Sequence, residues 1–361
     1  MDSWCILLVH TGTVNRDGPL NWSTAGESLM LRAFALPFCV LILCSCCLQN
    51  GCSADELRLI SAERIWDHAA HNAFTDLVRF DDNWFCVFRE GQGHVSPDGS
   101  LRVITSTDGS AWASAALISS PDSDLRDAKI TVTPDGRLML AGAEAMHDQQ
   151  EYKHQSLVWF SSNGKDWSDA VDVGDRDNWL WRISWQGKHA YGFGYGTRQR
   201  GLSFFRGDAT GKFYKVIDRV DVEGTYPNET SIIFGSADEP TALCLLRQDG
   251  DPKLGFLGSS RPPYSDWSWR PLDRRIGGPH MIRIPDGRLI AAVRLYDGGA
   301  RTSLCWLDAE QATLTEALRL PSGGDTSYAG LVWHAEQLWV SYYSSHEGKT
   351  CIYLARAEIV R

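Results

Sequence analysis

Several features are scarce in this sequence, and each scarcity excludes something. No run of lysines or arginines occurs, and 45 acidic against 35 basic residues leave a formal charge of −10. That balance excludes a nucleic-acid surface or a patch for anionic membranes. Beyond residue 52 only four cysteines remain, Cys86, Cys244, Cys305 and Cys351, each within an apolar run and none in C-x-x-C spacing. They read as buried free thiols rather than a disulfide framework or a metal centre. No phosphate loop, metal-ligand cluster or Ser-His-Asp order stands out, so no metal and no cofactor are expected. The main apolar run, residues 33–47, falls short of the roughly 20 residues that span a bilayer.

That run has a different use. Arg32 precedes it, and Cys52-Ser53-Ala54 sets small residues before the acidic Asp55, the basic, apolar and small-residue order of a secretory signal. Signals open at their basic end, so Met30 is a candidate true start and residues 1–29 an extension. Six of the ten cysteines lie within residues 1–52 and would leave with the signal. Leu43-Cys44-Ser45-Cys46 resembles a lipoprotein processing box, which makes a lipid anchor the one expected link to a membrane. Residues 1–54 are thus read as extension and signal, and 55–361 as an exported, monomeric domain: periplasmic, secreted or lipid-anchored.

Hydrophobic residues make up 43% of the chain and charged ones 22%, enough for a large core. From residue 74 one pattern recurs: an apolar strand, a turn rich in Asp, Gly or Asn, and a second apolar strand. The copies occupy residues 74–90, 128–144, 181–195, 228–247, 279–294 and 328–343. Their first strands open near Asp76, Lys129, Arg182, Glu229, His280 and Tyr328, which are 47 to 53 residues apart. Repeats of about 50 residues holding four short strands predict an all-β fold, a six-bladed β-propeller. A second mark, S-x-[DN]-G-x-x-W, occurs at residues 106–112 and 161–167 and reads as the turn between a third and a fourth strand. The sixth repeat runs out of chain before its fourth strand. Residues 57–61 are expected to supply it and close the ring, which removes exposed edges.

In such a ring the innermost strand of each blade starts on the face where the second strand ends. The second strands end near Arg89 and Glu90, Glu144, Tyr195, Arg247, Arg294, and His346 with Glu347. One such residue is usually a solvated loop charge. A dozen aimed at one funnel is a candidate binding or active site.

The repeat length and the S-x-[DN]-G-x-x-W turns resemble the Asp-box (BNR) repeats of the sialidase superfamily over residues 56–361. The resemblance implies an exo-acting glycoside hydrolase that removes a terminal acidic sugar from a glycan. It implies a tyrosine nucleophile at Tyr328, in Asp325-Thr326-Ser327-Tyr328, with Glu229, in Tyr226-Pro227-Asn228-Glu229, as its base. Arg247 and Arg294 match two of three arginines that clamp the sugar carboxylate, and Glu347 the acid that orients one of them. The family's arginine in blade one is replaced by Phe74-Thr75-Asp76, so Arg89, across that hairpin, is the candidate substitute. His94 and Asp98 are the candidates for the acid/base, and Asp76, Arg182 and His280 for further sugar contacts.

The chemistry of these roles is coherent. A phenol is a weak nucleophile until a carboxylate takes its proton, and a neutral nucleophile suits an anionic sugar. Planar guanidinium forks hold a carboxylate bidentately. Two other readings stay open: a hydrolase or lyase for a different acidic polysaccharide, and a non-catalytic glycan-binding propeller.

Overall fold

Strands this short are stable only as members of a sheet, and the chain delivers them in sets of four. The structure, a computed structural model, describes residues 56–360. These form six antiparallel sheets around one axis, a six-bladed β-propeller with no helix among the described residues. In blade one His71–Phe80 is innermost, followed outward by Asn83–Gly91, Ser100–Ser106 and Ala113–Ile118. The signal and start-site expectations for residues 1–54 lie outside the described residues. No helix among the described residues is long and apolar enough to cross a membrane.

The sixth sheet runs, from the axis outward, Thr326–His334, Gln337–Ser344, Cys351–Val360 and Glu56–Trp66. Its outer strand therefore comes from the start of the described chain and is longer than residues 57–61. Leu57 is buried there with Leu304, Leu331 and Val340. If this strand holds the ring together, Leu57→Ala should destabilise the whole domain by about 2 kcal/mol, the low end for a buried leucine because a strand end can relax. Chemical denaturation followed by tryptophan fluorescence measures this. A loss confined to local fraying, with the global transition unmoved, would count against it.

The two S-x-[DN]-G-x-x-W segments are turns with one shared bonding scheme, each joining the third strand of its blade to the fourth. Ser106 Oγ accepts the Gly109 amide at 2.8 Å, and Asp108 Oδ1 accepts those of Ser110 and Ala111. Trp112 Nε1 donates to the Gly109 carbonyl at 3.0 Å. Ser161, Asn163 and Trp167 repeat the scheme around Gly164. Both glycines have positive φ, 78° and 72°. Both also lie flat against an aromatic ring of the preceding blade, Trp339 or Phe85, where a Cβ would collide. These turns pack blade against blade.

One irregularity sets the site. In five blades two residues of the innermost strand face one of the second: Phe74 and Thr75, Asp127 and Ala128, Asn228 and Glu229, Gly278 and Pro279, Tyr328 and Ala329. In blade three the strand breaks outright between Asn178–Leu180 and Ser184–Gln186. A bulge interrupts the alternation of faces and re-aims side chains. Phe74, Asp127 and Tyr328 hold φ of 65°, 55° and 51°, a left-handed backbone that costs such residues about 1–3 kcal/mol and that collects at functional sites.

Candidate active site

The bulges of blades four and six bring Glu229 and Tyr328 together at the axis. Tyr328 Oη donates to Glu229 Oε1 at 2.5 Å. Arg247, opposite the blade-four bulge, sends Nη1 to the same carboxylate oxygen at 2.7 Å and to the phenol oxygen at 2.9 Å. Glu229 Oε2 accepts the Gly278 amide at 2.9 Å, so the blade-five bulge fixes the carboxylate. Arg247 Nη2 is paired with Asp249 at 2.8 Å, which in turn meets Arg275.

Electrostatics fit the placement. Burial, and then the negative charge of Glu229, raise the Tyr328 phenol well above its ordinary value, so it rests protonated. Burial alone would lower Arg247, but Glu229 and Tyr328 more than offset it, and the guanidinium is held firmly charged. Arg294 lies with Cζ 5.3 Å from the centre of the Tyr328 ring. Its Nε donates to the Thr326 carbonyl and its Nη2 to Tyr343 Oη, with Asp325 Oδ1 at 3.4 Å.

Blade two contributes a residue that the sequence reading passed over. Asp127 sits at the bulge, buried, within electrostatic reach of Glu229 and Tyr328. Burial raises its carboxyl pKa, against the pull of Arg126 and Lys129. Lys129 itself is buried beneath the aromatic floor, 5.0 Å from the centre of the Trp181 ring and 5.9 Å from that of Tyr328, and burial lowers it to about 8. Arg126 was also missed; its Cζ stands 5.6 Å from the centre of the Phe74 ring. Phe74 meets Tyr328 edge-on at 5.3 Å between ring centres.

No family model matches the sequence, and no curated protein does. Solved structures do match. A Dyadobacter fermentans protein of unknown function aligns with a TM-score of 0.74 at 18% identity, over 84% of this chain and 100% of that one. An α-L-arabinofuranosidase from Fusarium graminearum gives 0.66 at 12%, over 84% and 98%. A Trypanosoma rangeli sialidase gives 0.61 at 11%, over 80% of this chain and 55% of that one. The fold is a propeller shared with glycoside hydrolases. At these identities the likeness speaks for architecture, and this chain spans about half the length of the sialidase.

The remaining expected residues divide. Asp76 and His280 follow their bulges, Arg182 lies within the blade-three strand break, and all three sit one layer away, lining a cavity of about 540 Å³ with the far ends of the inner strands. There Arg182 pairs with Asp76 at 2.8 Å, and Arg182 and His280 both contact the Ala329 carbonyl. Burial drops His280 to about 3, so it is neutral. These three plug the axis of the propeller and do not surround the Tyr328–Glu229 pair.

Arg89 is no substitute clamp. It is fully buried, and its guanidinium is spent on Asp124 at 2.8 Å, the Gly93 carbonyl and Ser96. Asp98 is exposed and caps its own loop through the Gln92 amide. Glu347 is half-exposed and bonds Tyr353 Oη at 2.8 Å, while the acid beside Arg294 is Asp325. His94, by contrast, does reach the rim of the funnel, with Nδ1 2.7 Å from Asp325 Oδ2.

Proposed function

We propose that this propeller is a retaining exo-glycosidase with Tyr328 as nucleophile. The observation that carries this reading is the 2.5 Å hydrogen bond from Tyr328 Oη to Glu229, with Arg247 2.9 Å from the same phenol oxygen. A structural tyrosine needs one partner; this one has a base to take its proton and a cation to hold the phenolate. In the first step Tyr328 Oη bonds the anomeric carbon, its proton passes to Glu229, and Asp127 protonates the departing oxygen. In the second, Asp127 takes a proton from water, the water oxygen replaces Tyr328 on the sugar, and Glu229 returns the proton to the phenolate. An exported enzyme, as residues 30–54 suggest, would meet such glycans outside the cell.

An acidic terminal sugar is favoured by the arginines that frame the tyrosine, Arg294 and Arg247 directly and Arg126 across Phe74. A second reading, a neutral sugar, is supported by the pairing of Arg247 with Glu229 and Asp249 and by the apolar Phe74 at the blade-one position. The test is hydrolysis of paired acidic and neutral fluorogenic glycosides by the full-length chain. Preference for acidic glycosides is expected. Turnover of neutral ones alone favours the second reading, and turnover of none removes the enzyme.

The role of Asp127 gives a pH signature. Its carboxyl must be protonated to act as the acid, and its pKa is raised by burial. The rate is therefore expected to be full below that raised pKa and to fall as pH climbs through it. Asp127→Asn should abolish this alkaline limb in kcat/KM, with only about a tenfold loss on phenolic leaving groups that need little protonation. An unchanged limb in the variant would assign the acid elsewhere.

A further inference from the structure

Three groups at the rim of the funnel have no chemical part in this hydrolysis: the imidazoles of His71 and His94 and the outer oxygen of Asp325. They come from the start of the first inner strand, from the loop after the second strand, and from the segment that opens blade six. His71 Nε2 stands 3.3 Å and His94 Nδ1 2.7 Å from Asp325 Oδ2, and the three atoms all lie within 4.8 Å of one another. We propose that they form a site for a divalent transition-metal ion, with zinc the best fit, open to ligand on the funnel side. Metal binding there does not depend on the glycosidase reading.

The donor set points to the class of ion. Two imidazole nitrogens and one carboxylate oxygen suit zinc and its neighbours in the first transition row, not calcium or magnesium, which seek all-oxygen cages. Donors around a tetrahedral zinc with bonds of about 2.0–2.1 Å stand roughly 3.3 Å apart, so the cluster reaches that geometry by small rotations. His94 is half-exposed and free to make them. Three protein donors leave a fourth position open, the pattern of sites that act on ligands rather than of closed structural ones.

The surroundings resemble those of a ligating carboxylate. Asp325 Oδ1 is occupied by Tyr343 Oη at 2.7 Å and by Arg294, which orients the group and leaves Oδ2 to the two imidazoles, as outer partners of metal ligands do. His71 is buried, and among the described residues its Nδ1 has no partner, so the imidazole's one side-chain hydrogen bond there is made by Nε2, the nitrogen that enters the cluster. An ion here would offer its open position to an oxygen of the bound sugar, a hydroxyl or a carboxylate, three residues along the chain from Tyr328.

The full-length chain, stripped with a chelator, is titrated with Co²⁺ and followed by visible absorption, then with Zn²⁺ in competition with a chromophoric chelator. Thiolates in residues 1–52 are a second home for these ions. They announce themselves by thiolate-to-cobalt charge-transfer bands, which an N,N,O set lacks. One Co²⁺ per chain without such bands is expected, and His94→Ala should weaken it about 100-fold or more while leaving the metal-free melting temperature unchanged. His68→Ala, a control histidine outside the cluster, should bind as the parent does. Absence of the N,N,O spectrum, or equal affinity in His94→Ala, overturns the site and leaves the two imidazoles as simple hydrogen-bond donors to Asp325.

Discussion

Tyr328→Phe is expected to lower kcat by several orders of magnitude with the fold intact, because under the proposed mechanism it deletes the oxygen that bonds the sugar and nothing else. The ring remains, and with it the edge-on contacts with Phe74 and Trp181 at 5.3 and 5.8 Å between ring centres. What is lost in the folded state is a hydrogen bond to Glu229 and one from Arg247. Glu229 Oε1 keeps Arg247 and Oε2 keeps the Gly278 amide, so no charge is stranded and stability should move by about 1 kcal/mol or less. Activity and stability therefore separate, which a core aromatic would not allow. Equal kcat in the variant and the parent on any substrate that the parent turns over would remove Tyr328 from the chemistry. Intact-mass analysis after a fluorinated glycoside trap supplies an independent check: one sugar should be found on Tyr328 in the parent and none in the variant.

The six repeats were legible because each blade repeats its own hairpin, with turn residues at a fixed place. The meeting of Glu229, Arg247, Arg294 and Tyr328 was legible for the same reason, since the hairpin ends lie on one face. Asp127 was hidden two positions from Lys129 because the sequence carries no mark of the bulge. Reading Asp76, Lys129 and His280 as the openings of their inner strands assigns them to the funnel, whereas the strands start earlier and an extra residue in each of these three moves them a layer down. Nothing about Phe74 announces a positive φ, and an aspartate such as Asp127 announces it only weakly. The blade-five bulge, with Gly278 at 53°, is where composition gives the clearest hint. His71, His94 and Asp325 were invisible as a group for another reason: blades one and six meet only when the ring is formed, across 231 and 254 residues of chain.

Arg89 shows how a charge at a hairpin end can belong to the frame. Its Nε bonds Asp124, and its Nη1 and Nη2 reach the Gly93 carbonyl and the Ser96 carbonyl and hydroxyl, all between 2.8 and 3.0 Å. Gly99 lies so close that a Cβ would strike both Asp124 and Arg89, so the Pro97-Asp98-Gly99 turn is a cover over a buried ion pair. That pair ties down residues 91–99, the loop that presents His94. Arg89→Met keeps much of the volume but leaves Asp124 buried with Arg126, 3.6 Å away, as its one ion-pair partner among the described residues. Removing one partner of a buried pair costs about 3–5 kcal/mol, and urea unfolding should show a loss of that size. Replacing both partners, Arg89→Met with Asp124→Leu, removes the stranded charge and should recover a good part of it. A clamp residue would behave in the opposite way: Arg89→Met would raise KM for acidic glycosides and leave the unfolding midpoint where it was. That outcome would return Arg89 to the funnel.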